Sequence, residues 1–380
     1  MNLILCKEHS NADGFAFRGI IQNLKAKSRY FSSQFINKIY ECTIMKYSNK
    51  MNGLEIKKFK SFLVAVFLFS FSNSFAQDFP EFKETFRLNQ LEPPHGKVRM
   101  VLDTDTYNEV DDQFALAYAL LSEEKIQLEA VYAAPFHNSK SNDPADGMEK
   151  SYQEIIKILE MLNRSPEGFA FRGSSQYLAD IKNPIPSEAV LDLVDRAMKS
   201  SPEDPLYVVA VGGITNIASA LLMEPKIIEN IVVVWLGGRG LNWPTQKEFN
   251  LRQDILSVQV LLNSGVPFVI LPTRPVVSHL HTTIPELKYY LEGKNELSDY
   301  LYNIVVEYSG GRDAWSKVIW DVTAVAWLVN PGWVSTDLVH SPILTDQVTF
   351  SVDRSRHFIR MASLLNRDAI FRDLFQKLAQ

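Results

Sequence analysis

Cysteine is almost missing from this chain. Its 380 residues contain two, Cys6 and Cys42, and both precede a stretch that reads as a secretory signal. A chain cleaved after that signal has no disulfide, no thiolate metal site and no cysteine nucleophile. Long apolar runs are lacking too. The longest candidate, Phe62 to Phe69, is too short to span a bilayer comfortably. Basic charge is also in deficit: net charge is −5 and no basic stripe occurs, which excludes nucleic-acid binding as the main function. A small piece of nucleic acid remains an admissible substrate. No linker rich in Gly and Pro divides the body of the chain, and no long repeat is present. The hexapeptide Gly-Phe-Ala-Phe-Arg-Gly occurs at 14–19 and again at 168–173 with dissimilar flanks, and carries no inference.

What is present begins with the signal itself. Lys57, Lys58 and Lys60 form a basic segment, Phe62–Phe69 an apolar one, and Ser74-Phe-Ala76 a small-residue cleavage site that makes Gln77 the first mature residue. A signal peptide normally opens a chain, so residues 1–50 are expected to be an upstream extension and residues 51–76 the signal peptide. The expected localisation is export, to the periplasm or beyond the cell, with no stable membrane association once the signal is removed. A polar, Pro-containing linker is expected over 77–95 and a catalytic domain over 96–380. A hydrophobic content of 46% suffices for one large core.

From Val98 onward apolar runs alternate with amphipathic stretches. Strands are expected at Val98–Leu102, Leu128–Ala134, Leu206–Val211, Ile231–Leu236 and Val266–Leu271. Helices are expected at Asp112–Leu121, Gly147–Leu162, Ser187–Met198, Asn216–Met223 and Ile255–Leu262, with mostly helix over 284–330 and a late hairpin or edge strand within His340–Asp353. Strands that read as continuous apolar runs are covered on both faces. The fold class is therefore α/β, with a mainly parallel central sheet flanked by helices and an active site at the carboxyl ends of the strands.

The segment after the first strand is the most informative. Asp103-Thr-Asp105-Thr-Tyr-Asn-Glu109-Val-Asp111-Asp112 puts five carboxylates at one strand-to-helix switch. Such groups repel one another in a low-dielectric setting unless a hard cation sits among them, and oxygen-only ligands favour Ca²⁺ or Mg²⁺. The segments that follow the other strands should converge on the same end: Pro135-Phe-His137-Asn138, Gly212-Gly-Ile-Thr215-Asn216, Gly237-Gly-Arg239-Gly240 leading to Glu248-Phe-Asn250, and Pro272-Thr-Arg274. That set is rich in oxygen ligands and amides.

Strand, Asp-x-Asp, Asp-Asp, then Gly-Gly-Ile-Thr-Asn-Ile-Ala and Glu-Phe-Asn, in this order from Val98 to about Asn330, resembles the inosine-uridine-preferring nucleoside hydrolases, calcium-dependent N-ribohydrolases. The resemblance implies a Ca²⁺ cofactor held by Asp105, Asp112, the backbone carbonyl of Thr215, and Asp321. It implies Asp105 as the general base, Asp111 on the ribose 2′-hydroxyl, Asn250 and Asp321 on the 3′-hydroxyl, and Glu248 with Asn242 on the 5′-hydroxyl. Asp103 is implied as a residue that orients the site from behind. The implied partner is a small-molecule nucleoside, and the family habit is a homo-oligomer.

Two departures stand out. Five residues, Thr106 to Val110, separate Asp105 from Asp111 where the family has three, so Asn108 or Glu109 is expected either to enter the site or to face solvent. Many members have His before the aspartate that corresponds to Asp321, and it serves the leaving base. Trp320 stands there in this chain, where it can stack on a base but cannot protonate it. Trp243 and Trp315 are candidates for the same aromatic contact, and His137, His279 and His281 are candidates for the acid. Asp103-Thr-Asp105-Thr106 also resembles the nucleophile motif of haloacid-dehalogenase-type phosphatases, but the acidic pair follows Asp105 too closely for that mechanism. Action on another ribosyl or glycosyl substrate, or binding of ribose or nucleoside without turnover, are the remaining alternatives.

Overall fold

The computed structural model describes residues 79–380, so the expected extension and signal peptide lie outside the described residues. The chain enters through helix α1 (Glu84–Gln90) and then alternates: β1 (Val98–Thr104), α2 (Asp112–Leu120), β2 (Ile126–Ala133), α3 (Pro144–Met161), β3 (Ala170–Arg172), α4 (Glu188–Lys199), β4 (Leu206–Ala210), α5 (Thr215–Met223), β5 (Ile231–Leu236), α6 (Phe249–Gln253), α7 (Ile255–Ser264) and β6 (Phe268–Leu271), all as the sequence predicts except the short β3 and α6. A two-stranded ribbon of β7 (His281–Thr283) and β8 (Ser316–Val318) brackets α8 (Ile284–Leu291) and α9 (Glu296–Ser309), and α10 (Val322–Val329) follows. The chain ends with β9 (Val334–His340), a hairpin of β10 (Ile343–Leu344) and β11 (Phe350–Ser351), then β12 (Phe358–Leu365) and α11 (Arg367–Leu378).

Eight strands form one sheet in the order β3-β2-β1-β4-β5-β6-β12-β9, all parallel except the antiparallel edge strand β9. The apolar strands are buried on both faces; every residue of β4, β5 and β6 is buried. Helices cover each face and divide the interior into two large apolar clusters, one on each side of the sheet. Sequence order reverses between β1 and β4: the chain moves outward from β1 to β3, then returns to pair β4 against β1's other edge. That reversal falls beside the carboxyl ends of β1 and β4, the place where open α/β sheets bind ligands.

The late hairpin expected within His340–Asp353 is β10–β11. Two features differ from expectation. Of the polar stretch expected as a linker, the described part, 79–95, packs on the domain: Leu91 is fully buried, the Arg87 guanidinium donates to the Gly265 carbonyl at 2.8 Å, and Glu84 accepts from the Phe358 amide at 2.8 Å. Finally, β12 inserts between β6 and β9, carrying the buried Arg360, whose Nε donates to the Leu91 carbonyl at 2.6 Å. No helix among the described residues is long and apolar enough to cross a membrane.

Candidate active site

The acidic motif lies at this reversal, beside β4. Asp103 is still within β1, paired opposite Tyr132 of β2 and Ala210 of β4. One of its oxygens accepts from the Asn216 amide at 2.7 Å; the other, although buried, has no partner. Asn216 is itself aimed by the Ser174 amide, which donates to its Oδ1 at 2.7 Å. Gly173 permits this packing, because a Cβ there would lie 2.5 Å from the Asn216 amide nitrogen. Asp103 is thus held by Asn216, a partner that the sequence pattern alone does not assign.

Asp105 follows the end of β1. It is 1% exposed and neither carboxylate oxygen has a hydrogen-bond partner. The Gly-Gly turn after β4 lies against it: a Cβ on Gly212 would come within 2.9 Å of the Asp105 carboxyl carbon, so only glycine fits. Asp112 opens α2 and accepts from the Thr104 hydroxyl at 2.5 Å. Asp111 turns away from the helix end and accepts from the Trp320 amide at 3.0 Å and from the Lys317 ammonium at 3.2 Å. Asp321 stands at the start of α10. It is not an exposed helix-start acid, because it is 3% exposed and caps no backbone amide.

Asp111, Asp112 and Asp321 each offer an oxygen, and these oxygens lie within 4.8 Å of one another. Asp105 is not part of that set, but its two orphaned oxygens lie close enough to Asp112 and Asp111 for their charges to act on it. Burial raises every one of these acids, and repulsion from neighbouring carboxylates adds to it at Asp105, Asp111, Asp112 and Asp321. Asp112 is pushed up to about 6, Asp111 to about 7 and Asp103 to about 8, while Asp105 and Asp321 are driven well above the usual carboxylate range. Four or five buried carboxyls that cannot all ionise together, with an all-oxygen donor set and unpaired lone pairs, suit a hard divalent cation.

The remaining expected residues come from the segments that follow β4, β5 and β8. Thr215 opens α5, fully buried, with its hydroxyl donating to Asp254 at 2.7 Å. Asn250 bridges the ends of β4 and β5, donating to the carbonyls of Val211 and Leu236 at 2.8 and 3.0 Å. That leaves its carbonyl oxygen for a ligand. Glu248 caps α6, accepting from the amides of Gly238, Asn250 and Leu251, and burial pushes it up to about 7. Asn242 is exposed on the loop after β5, and Trp320 is half-buried with Trp315 against the core. His137, His279 and His281 are exposed and none joins the cluster.

The lengthened loop does not face solvent freely. Asn108 accepts from the Asn138 amide at 2.7 Å, and Glu109 pairs with Lys317 at 2.8 Å and accepts from the Tyr308 hydroxyl at 2.6 Å. Burial acts to raise Glu109, but the Lys317 charge together with the hydrogen bonds from Lys317 and Tyr308 outweighs it and holds the carboxyl below its usual value. Lys317 and Asp254 belong to the framework here, and no sequence signal links Lys317 to Asp111 or Asp254 to Thr215, because these pairs come from elements remote in the chain.

The profile of the inosine-uridine preferring nucleoside hydrolases matches residues 100–360. The pyrimidine-specific ribonucleoside hydrolase RihA of Klebsiella pneumoniae is 26% identical over 263 residues, 61% of this chain and 79% of that protein. The inosine-uridine preferring nucleoside hydrolase of Crithidia fasciculata is 25% identical over 193 residues, 47% of this chain and 59% of that one. Among solved structures, a purine-preferring ribonucleoside hydrolase from Gardnerella vaginalis superposes with a TM-score of 0.60 at 20% identity, covering 74% of this chain and 98% of that one. Order of motifs, strand order and matched profile agree: the chain belongs to the inosine-uridine preferring nucleoside hydrolase family, a family of N-glycosyl hydrolases.

Proposed function

We propose that this chain hydrolyses the N-glycosidic bond of ribonucleosides to ribose and free base, with Ca²⁺ as its cofactor and Asp105 as general base. The observation that carries this reading is the pair of orphaned Asp105 oxygens, buried within electrostatic reach of the clustered carboxylates of Asp111, Asp112 and Asp321. Asp105, Asp112, Asp321 and the main-chain carbonyl of Thr215 would hold the ion. When bound, it supplies positive charge that lowers the pKa of a water molecule. Asp105 accepts the proton of the attacking water. The neighbouring carboxylates stabilise the oxocarbenium-like charge that develops on the ribose. Asp111 holds the 2′-hydroxyl, Asn250 and Asp321 the 3′-hydroxyl, and Glu248 with Asn242 the 5′-hydroxyl; Trp320 offers a face to the base. No histidine among the described residues stands in the cluster to protonate the departing base, which favours, as a second reading, a ribosyl substrate whose leaving group needs no strong acid. In both readings the chain is exported through the segment 51–76, a reading supported by its basic and apolar regions and the lack of cysteine after it.

The test is ribose release from uridine, inosine, adenosine and guanosine by the chain from Gln77, with Ca²⁺ and after chelation. Chelator-sensitive release is expected. Undiminished release after chelation overturns the cofactor. No release from any of the four overturns hydrolysis of common ribonucleosides and leaves the second reading.

A further inference from the structure

The two extra residues of the first loop bring Glu109 to a buried lysine. Lys317 occupies the middle of β8 and is 4% exposed. Its ammonium donates to Glu109 Oε2 at 2.8 Å, to Asp111 Oδ1 at 3.2 Å and to the Val318 carbonyl at 2.7 Å. An ammonium has three N–H donors, so all three are engaged and none is left for a substrate. Lys317 is therefore placed to hold other groups.

What it holds is Asp111. Each oxygen of that carboxylate accepts from a different part of one late segment: Oδ1 from Lys317, and Oδ2 from the Trp320 amide at 3.0 Å. Glu109 fixes Lys317 from the far side, and the Tyr308 hydroxyl fixes Glu109 at 2.6 Å. A buried ammonium is costly to desolvate, and an apolar side chain in its place is often as stable or more so. Stability therefore gives weak grounds for a lysine in this ribbon, whereas a carboxylate that must meet a hydroxyl in one orientation gives strong ones. The lengthened loop and the lysine form one unit, because Glu109 within that loop gives Lys317 its second anionic partner.

We propose that Lys317, buttressed by Glu109 and Tyr308, is a positioning residue that orients Asp111 toward the ribose 2′-hydroxyl and so sets the preference for ribosides over 2′-deoxyribosides. This rests on the hydrolase reading and on Asp111's role within it. The experiment measures kcat and KM for uridine and 2′-deoxyuridine, and for inosine and 2′-deoxyinosine. The proteins are wild type, Lys317→Met, Lys317→Arg, Glu109→Gln, Asp111→Asn and the double variant Asp111→Asn/Lys317→Met. Lys317→Met should lower kcat/KM for the ribosides about 100-fold and for the 2′-deoxyribosides less than about threefold. Lys317→Arg should recover part of the loss. In the Asp111→Asn background, Lys317→Met should add little.

Parallel losses on ribosides and deoxyribosides, or a full Lys317→Met effect without Asp111, overturn the proposal while the hydrolase reading stands. Should Lys317→Met fail to fold, Glu109→Gln decides the question in the same way, because Glu109 is 33% exposed and its loss leaves the buried cation paired with Asp111. Its expected loss is about tenfold, again confined to ribosides. A wild type that cleaves none of the four compounds overturns the hydrolase reading and this proposal with it, and does so before any variant is made.

Discussion

Two buried aspartates in this fold have opposite surroundings. Asp254, 3% exposed, accepts from the Leu178 amide at 3.0 Å, the Thr215 hydroxyl at 2.7 Å, the Ser257 amide at 3.0 Å and the Ser257 hydroxyl at 2.5 Å. Asp105, 1% exposed, accepts from nothing at either oxygen. Burial is nearly equal, so the difference lies in whether the protein supplies the partners. A buried carboxylate with its own donors ties elements together, here the loop after β3 and the starts of α5 and α7. A buried carboxylate without donors is costly to keep, and a fold that keeps it among other acids has prepared a place for something outside the chain.

The comparison can be broken by exchanging losses. Asp105→Asn should lower kcat by about 10³-fold or more, near the upper range for removal of a general base, while the protein stays folded. Substantial residual turnover would remove Asp105 as base. Asp254→Ala should act chiefly on stability, costing about 3 kcal/mol because at least three donors lose their acceptor. A chemical-denaturation midpoint unchanged by Asp254→Ala would show that this network contributes little.

Acidity sharpens the contrast. Asp112, Asp111 and Asp103 ionise near 6, 7 and 8 in the folded protein, whereas an unfolded aspartate ionises at about 4. The folded state therefore holds protons that the unfolded state has released. Without a divalent ion, stability should fall as pH rises from about 5 to 8. Added Ca²⁺ should flatten that slope, read as melting temperature against pH with and without chelator. A slope of the same size with Ca²⁺ present would mean that the ion does not neutralise these acids. The smallest expected effect is at the base: Trp320→Ala should raise KM by about tenfold at most with little change in kcat, as befits a stacking contact. A large fall in kcat instead would assign Trp320 a part in leaving-group departure.

Much of this was legible because its signals are local. Continuous apolar runs mark the inner strands from β1 to β6, apart from the three-residue β3, and the carboxylates of the first motif sit within ten residues of one another. What was hidden depends on topology. β12 reads as mixed because Arg360 and Ser363 interrupt its apolar pattern, yet Arg360 is buried against α1's exit. α11 carries apolar residues at helical spacing, Ile370, Phe371, Leu374, Phe375 and Leu378, a pattern that predicts the helix once it is sought. Lys317 has no local signature, and Asp254 shows locally only as the cap of α7 through Ser257. Their partners lie 206 positions away at Asp111 and 39 positions away at Thr215, and only the folded chain brings them together.

The most direct test of the central claim is a calorimetric Ca²⁺ titration of the wild type beside Asp105→Asn and Asp254→Ala. The expected result is one equivalent bound by the wild type, affinity weakened at least about tenfold in Asp105→Asn, and binding retained in Asp254→Ala wherever that variant is folded. Absence of Ca²⁺ uptake by the folded wild type, or uptake untouched by Asp105→Asn, would contradict it.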